Sequence, residues 1–329
     1  MTRLFARTRS DDGQVIVFVV ALFMVLFGIA ALVIDGGRWF QTHRHLQTAA
    51  DAAALAGVQA LPSDPGGAAS IANTYAQNNF SGVTASVSVP PGSPLPSSCS
   101  ASPPYNCIRV VTSKSVPGTF AKFFAALRGA TFGDRNENAR ATAAVTVPQN
   151  MKNVAPIAVK NTVACTVPSC YGTTKTVNFD ESAVASSTIG LINLTCHNTA
   201  LPACANNNNV GAQDLHDWII NGFADALPSG QWYGVKTGQN VGPIKQGLDA
   251  RLGVPLYFPV FDTTSSIGST WYFHIIGWSA FVIDQVVSWS PSNKTLKGHF
   301  VTFTTSDLPA GLPPTSSNDF GVHILSLVE

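Results

Sequence analysis

The chain has 329 residues, and only 11% of them are charged, against roughly 25% in an ordinary soluble domain. Lys plus Arg number 19 and Asp plus Glu 18, a net charge of +1. That balance excludes a nucleic-acid binder that relies on a basic face to neutralise phosphates. The length allows one or two domains.

The first predicted element is Val15–Ile34, VIVFVVALFMVLFGIAALVI, 20 residues with no charge and no proline. At about 1.5 Å per residue such a helix spans the ~30 Å hydrocarbon layer of a bilayer. A backbone crossing lipid must satisfy its own hydrogen bonds, so the segment is expected to be helical. A cleaved signal peptide is the rival reading. Its apolar region is shorter and meets a small-x-small site at once, whereas Asp35-Gly36-Gly37-Arg38-Trp39 follows here. An uncleaved anchor is therefore expected. Arg3, Arg7 and Arg9 precede it, and Arg38 and Arg44 follow it, a thin positive-inside bias.

Residues 38–61 are rich in helix formers, and Pro62 with Ser63-Asp64-Pro65-Gly66-Gly67 ends the run, which predicts a helical stalk. Gly36-Gly37 could kink its junction with the anchor. Leu46, Ala49, Ala50, Ala53 and Gly57 form a small-residue stripe of the kind that lets another helix approach. The alternative is that alanine is simply the best helix former.

Gly13, Gly28, Asp35, Gly37-Arg38, Leu46-Gln47 and the run Ala49-Ala50-Asp51-Ala52-Ala53-Ala54-Leu55-Ala56-Gly57 together resemble the N-terminal segment of the TadG-like family of Tad (Flp-type) pilus-assembly proteins. Pseudopilins of the same system are similar but carry Glu five residues after a processing Gly. Phe18 stands there in this chain, which favours the TadG-like branch. The resemblance implies a non-catalytic component of pilus assembly or anchoring in the inner membrane. Its implied partners are the lipid bilayer and other pilus-assembly membrane proteins or pseudopilins, with a homo-oligomer as a further option.

Beyond the stalk, residues 68–80 suggest a short amphipathic helix. Residues 83–89, 107–114 and 140–147 alternate as half-buried strands. Residues 118–129 suggest a helix with Phe120, Phe123, Phe124 and Leu127 on one face; core packing is the reading preferred over a docking surface. A small α+β unit is expected over 68–148. From 150 onward short β-branched and aromatic runs suggest strands, with helices at 213–226 and 241–252. The segments at 235–252 and 277–283 also resemble the distal part of some TadG-like proteins.

Six cysteines, Cys99, Cys107, Cys165, Cys170, Cys196 and Cys204, all follow the anchor and form three local couples in loop-like sequence. Such a set fits disulfides in an oxidising compartment, and sequential pairing is expected. This usage places the C-terminal part outside the cytoplasm and the N-terminus inside. A zinc site from Cys165, Cys170, Cys196 and Cys204 or His197 is the weaker alternative, since no C-x-x-C knuckle occurs.

Asp262-Thr263-Thr264-Ser265-Ser266 approaches the D-x-[ST]-x-S pattern that surrounds Mg²⁺ in von Willebrand A-type domains, which some TadG-like proteins carry. Only 63 residues follow Ser266, too few to complete such a domain, so a Ser/Thr-rich turn is expected. Asp214, His216 and Asp217 on one helix point in different directions. His274, His299 and His323 read as surface or satisfied core histidines. Asn206–Asn209 reads as an exposed loop, and Gly238 to Pro243 as a turn. No G-x-S-x-G, H-E-x-x-H or P-loop pattern is present. No catalytic, cofactor-binding or metal residue is assigned. Trp271, Tyr272, Trp278 and Trp289 would serve an alternative reading, an exported adhesin or glycan-binding module on the same anchor. An envelope hydrolase is a third.

The expected architecture is α+β: a long N-terminal transmembrane and stalk helix, then an extracytoplasmic, mixed and mostly antiparallel β-rich region with a few short helices. The expected segments are a cytoplasmic tail at 1–14, the transmembrane helix at 15–34, the stalk at 35–61, the small unit at 68–148 and a β-rich domain at 150–329.

Overall fold

The computed structural model describes residues 12–131, 133–166, 170–291, 293–305, 308–309 and 311–329; residues 1–11 of the expected tail lie outside them. Helix α1 is Asp12–Val58 and α2 is Pro65–Asn79, followed by β1 (Thr84–Ser88), β2 (Cys107–Val116), α3 (Thr119–Leu127) and β3 (Arg135–Thr146). Then come β4 (Asn150–Met151), β5 (Ile157–Lys160), β6 (Thr174–Phe179), β7 (Ile189–Asn198), α4 (Ala212–Asn221), β8 (Leu227–Pro228), β9 (Gln231–Val235) and α5 (Val241–Ala250). The chain finishes with β10 (Pro255–Ile267), β11 (Thr270–Trp289), β12 (Lys294–Val301), β13 (Phe303–Thr305) and β14 (Val322–Leu327). A long apolar helix is thus followed by a β-rich region with a few short helices, an α+β fold.

The chain divides into two compact units. The first holds α1 as far as Ala53, together with Asn73–Val87 and Val110–Ala141; the second holds Ala54–Ala72, Ser88–Arg109 and Thr142–Glu329. Helices α1 and α2 and strands β2 and β3 each run through a boundary.

Helix α1 has 47 residues and is therefore about 70 Å long, roughly twice the hydrocarbon thickness of a bilayer. Gly36-Gly37 lies within it without interrupting it. Helix α2 starts where Asp64 Oδ1 accepts the Gly67 N–H at 2.8 Å and Pro65 takes the first helical position, which suits a residue with no N–H to place.

In the second unit, β10, β5, β7, β9 and β11 are hydrogen-bonded in that order, and β11 pairs back with β10. The five strands therefore close into a small barrel, and β12 and β6 continue the sheet beyond β11. All its pairings are antiparallel except β10 with β5. Strand β11 serves two neighbours along one edge, β9 through Tyr272–Ile275 and β12 through Ala280–Trp289. Register shifts at Ile283/Gln285 and Val286/Ser288 supply the extra twist such a long strand needs. The barrel is too narrow for a channel and is filled by side chains. Phe261 stacks on Phe273 at 4.0 Å, Phe258 on Phe281 at 5.3 Å, and Phe300 meets Phe281 edge-on at 4.8 Å. Strand β9, QWYGV, has few β-branched residues and was not expected; tertiary pairing with β7 and β11 holds it extended. Helix α4 stops at Asn221, earlier than the pattern suggested, because Gly222 turns to φ +75°. Also in this unit, β14 pairs antiparallel with the end of β3, Ile324 opposite Thr146, and parallel with β13.

Buried cations brace the second unit. Lys294 is fully buried; its Nζ lies 2.6 Å from Glu181 Oε1 and over the Phe179 ring. Arg109 donates to Glu329 Oε2 at 2.6 Å, to the carbonyls of Gly92 and Pro94, and to Thr142 Oγ1. The cysteines stand as three bonded pairs, Cys99–Cys107, Cys165–Cys170 and Cys196–Cys204. A thiol titration of the denatured, unreduced protein should find no reactive cysteine; six reactive thiols would remove the cross-links.

Gly57 marks the closest packing of α1 in this unit. A Cβ there would lie 2.8 Å from Ala68 O and Ile108 Cδ1 and 2.9 Å from Ala72 Cβ. At Gly36 it would meet nothing within 4 Å. Gly57→Ala should destabilise by about 1–3 kcal/mol through overpacking. Gly36→Ala should be neutral or stabilising by up to ~1 kcal/mol. Thermal unfolding of the full chain in detergent would read the contrast.

Candidate functional site: the membrane anchor and its clasp

From Val15 to Ile34 every side chain is exposed except Gly28, half-buried, and Ala31, buried. Phe18, Met24, Phe27 and Leu32 are each more than 65% exposed. In water so large a contiguous apolar surface would aggregate. A helix of this length and composition instead suits a hydrocarbon layer.

The character of α1 changes at the next residue. Asp35 is only 3% exposed. Its Oδ2 accepts the N–H groups of Phe120 at 3.0 Å and Ala121 at 2.8 Å, two of the orphan donors in the first turn of α3. Gly118, the residue at the start of that helix, supplies no side-chain cap. The carboxylate from 85 positions earlier does so instead, aided by the positive end of the helix dipole. Arg38 Nη1 donates to Thr119 Oγ1 at 2.6 Å.

The polar contacts continue along α1 within the first unit. The Arg135 guanidinium lies 5.3 Å from the Trp39 ring and pairs with Glu137, which also faces His43 at 3.9 Å. Lys122 pairs with Asp134. Gln47 donates to Asp51 Oδ1 at 2.7 Å and to Arg140 O at 3.0 Å, and Thr112 Oγ1 donates to Leu46 O at 2.9 Å. Below Asp35 α1 is oily and uncovered; from Asp35 upward it is clasped by polar bonds.

Residues 13–60 match a family model described as "Putative Flp pilus-assembly TadE/G-like". The N-terminal segment is TadE/G-like. The match takes in the apolar run, Asp35 and the alanine stripe. A Tad segment whose helix is long and apolar enough to cross a bilayer supports a pilus-related membrane component with a single-pass anchor. No curated protein and no solved structure matches the chain.

Within the Tad segment, Leu46, Ala49, Ala50 and Ala53 are fully buried and Gly57 packs on Ala68, Ala72 and Ile108. The stripe expected to receive a partner helix is covered by the chain itself. The aromatic face of α3 shows the converse. Phe120 is 38% and Phe123 58% exposed, so these two rings are not the core residues expected; the Phe124 and Leu127 side chains lie outside the described residues. The sequence offered one clue to the clasp, an acid directly after the apolar run and a helix start with only glycine before it.

The other candidates lie in the second unit. Asp262 to Ser266 is part of β10, paired with β11, and not a turn. A register shift sets Asp262 Oδ1 2.9 Å from His274 Nδ1. His299 meets Asp284 at 3.1 Å, and His323 Nε2 meets the buried Asp319 at 2.7 Å. Among the described residues no group of three His, Cys, Asp or Glu is arranged to hold a metal ion. With its sulfurs bonded in pairs, the set of Cys165, Cys170, Cys196 and Cys204 offers no zinc thiolates.

Asp214 Oδ2 accepts the Gly211 N–H at 2.8 Å, the ordinary duty of an acid at a helix start. His216 bonds Asp217 at 2.8 Å, and that hydrogen bond holds the exposed Asp217 carboxyl below its usual range. Asn206, Asn208 and Asn209 are exposed, but Asn207 turns inward and its Nδ2 donates to Val235 O. Its carbonyl accepts Lys236 Nζ at 2.8 Å, and burial holds that amine below the usual lysine range. Asn240, in the expected turn, caps α5 through the Gly242 N–H. His197 pairs with Gln231 at 2.7 Å.

A cavity of about 350 Å³ is lined by Tyr171, His323, Thr302, Thr304, Gln59, Leu61 and Ser63. Burial, and then the Asp319 charge, push the Tyr171 hydroxyl well above its ordinary pKa. Ser63 Oγ donates to Ala60 O at 3.2 Å. Tyr272, Trp278 and Trp289 are buried and Trp271 is half-buried, so they do not form an open platform of rings for a sugar.

The clasp gives a direct test. Asp35→Ala removes the cap of α3, a change that costs about 0.5–2 kcal/mol at helix starts. Hydrogen exchange should accelerate across 119–127 and leave β9–β11 unchanged. Equal protection in the two proteins would show that Asp35 does not hold α3.

Proposed function

We propose that this protein is a non-catalytic, single-pass component of Tad/Flp-type pilus assembly or anchoring. Residues 15–34 cross the inner membrane, the N-terminus is cytoplasmic and the β-rich part is extracytoplasmic. The observation that carries the reading is the uncovered apolar run inside the Tad-matched segment. The three cysteine pairs suit an oxidising compartment and so support this orientation.

The partners are other pilus-assembly membrane proteins or pseudopilins. Because the alanine stripe is already covered, they meet the uncovered face of Val15–Ile34 inside the bilayer or the extracytoplasmic surface. The non-catalytic reading draws support from the Tad match of residues 13–60.

Deleting the gene from its host should abolish or reduce surface pili, with recovery on complementation. A tag appended after Glu329 should be reached by an impermeant reagent only from the non-cytoplasmic side. Normal pili in the deletion strain, or a tag reached only from the cytosol, would overturn the proposal.

A further inference from the structure

We propose that α3 is a second membrane contact: it rests in the headgroup region of the leaflet from which α1 emerges, with Phe120 and Phe123 turned into the lipid. The inference rests on the reading of Val15–Ile34 as the membrane span.

Depth is the first part of the case. Asp35 directly follows Ile34, the last residue of the uncharged run. Its carboxylate holds the Phe120 and Ala121 N–H groups at 3.0 and 2.8 Å, and Arg38 holds Thr119 at 2.6 Å. The first turn of α3 is therefore fixed at the edge of the hydrocarbon layer. Phe123 is three residues further on, so its Cα lies at most about 4.5 Å higher even if α3 stood upright. The headgroup zone is roughly 5–7 Å thick on each side, so the Phe123 backbone rises no higher than that zone whatever the tilt of α3.

Chemistry is the second part. Thr119–Leu127 reads TFAKFFAAL, a short helix with aromatic residues on an exposed side. Ala121 and Ala125 are half-buried, whereas Phe120, Phe123 and Ala126 are exposed. Phenylalanines on one exposed side suit a helix that lies in the interfacial plane. Arg38 and Arg128 are exposed nearby in sequence, suited to anionic headgroups. The occupant is the bilayer because the face is continuous with the surface that α1 already commits to lipid.

The test uses the full chain in phosphatidylethanolamine/phosphatidylglycerol vesicles. All described cysteines are disulfide-bonded, so Phe123→Cys introduces a thiol for a nitroxide label. Ala126→Cys, on the same side, keeps the test open if that variant misfolds. Met24→Cys reports the span, and the free label in buffer gives the aqueous reference. The readout is the ratio of collision rates with oxygen and with a water-soluble nickel chelate. The expected ratio at 123 or 126 is severalfold above the free label and below position 24. A ratio equal to the free label, with position 24 reading deep, overturns the proposal and leaves the anchor standing. Low collision with both reagents overturns it too, since protein then covers the face. A water-like ratio at position 24 overturns the anchor and the proposal together.

Discussion

A helix in hydrocarbon needs no covering from its own protein, and that freedom governs the N-terminal part of this chain. Between Val15 and Ile34 the side chains point outward with almost nothing of the chain laid against them, while the backbone satisfies itself through the helical ladder. The exposure would be a liability in water and is the natural state in lipid. From Asp35 onward α1 changes character. Asp35 is buried and spent on another helix, and α1 acquires polar contacts at Arg38, Trp39, His43, Leu46 and Gln47.

The clasp gives this change of rule a structural role. An aspartate at the end of a membrane span faces a desolvation cost unless its charge is met by donors. The start of α3 supplies two N–H groups and a favourable dipole. One interaction thus gives Asp35 Oδ2 two donors and caps a nine-residue helix that has no side-chain cap of its own. It also carries the exposed rings of α3 to the level where the span ends. The stripe of small residues further along is used inward: alanines let other parts of the chain come close to α1, the same property that made a partner helix plausible there.

In the second unit stability comes from a different source. A five-stranded closed sheet removes its own edges, stacked phenylalanines fill it, and disulfides bond three loops. The polar groups that resemble site residues are largely employed in holding strands and turns: Asp262 with His274, Asp284 with His299, Asp319 with His323, Glu181 with Lys294. Such pairings are what a rigid scaffold needs.

Residue type and period were enough to identify the anchor, the α+β class and most strands, and the block from Gly13 to Gly57 carried the resemblance to the Tad family. Each depends on local signals: an uncharged run long enough for a bilayer and alternation of apolar residues. The cysteine couples were equally legible because each closes a short loop. Closure of β10, β5, β7, β9 and β11 into a barrel was not, because pairing partners far apart in sequence leave no mark in either strand. Tertiary structure also decided which apolar faces are covered. Periodicity shows that Phe120 and Phe123 share a face and that Leu46, Ala49 and Ala53 nearly do, but not which face meets protein. The phenylalanines are set beside the end of the span because Asp35 fixes the start of α3 there, a contact between residues 85 positions apart that no local pattern encodes.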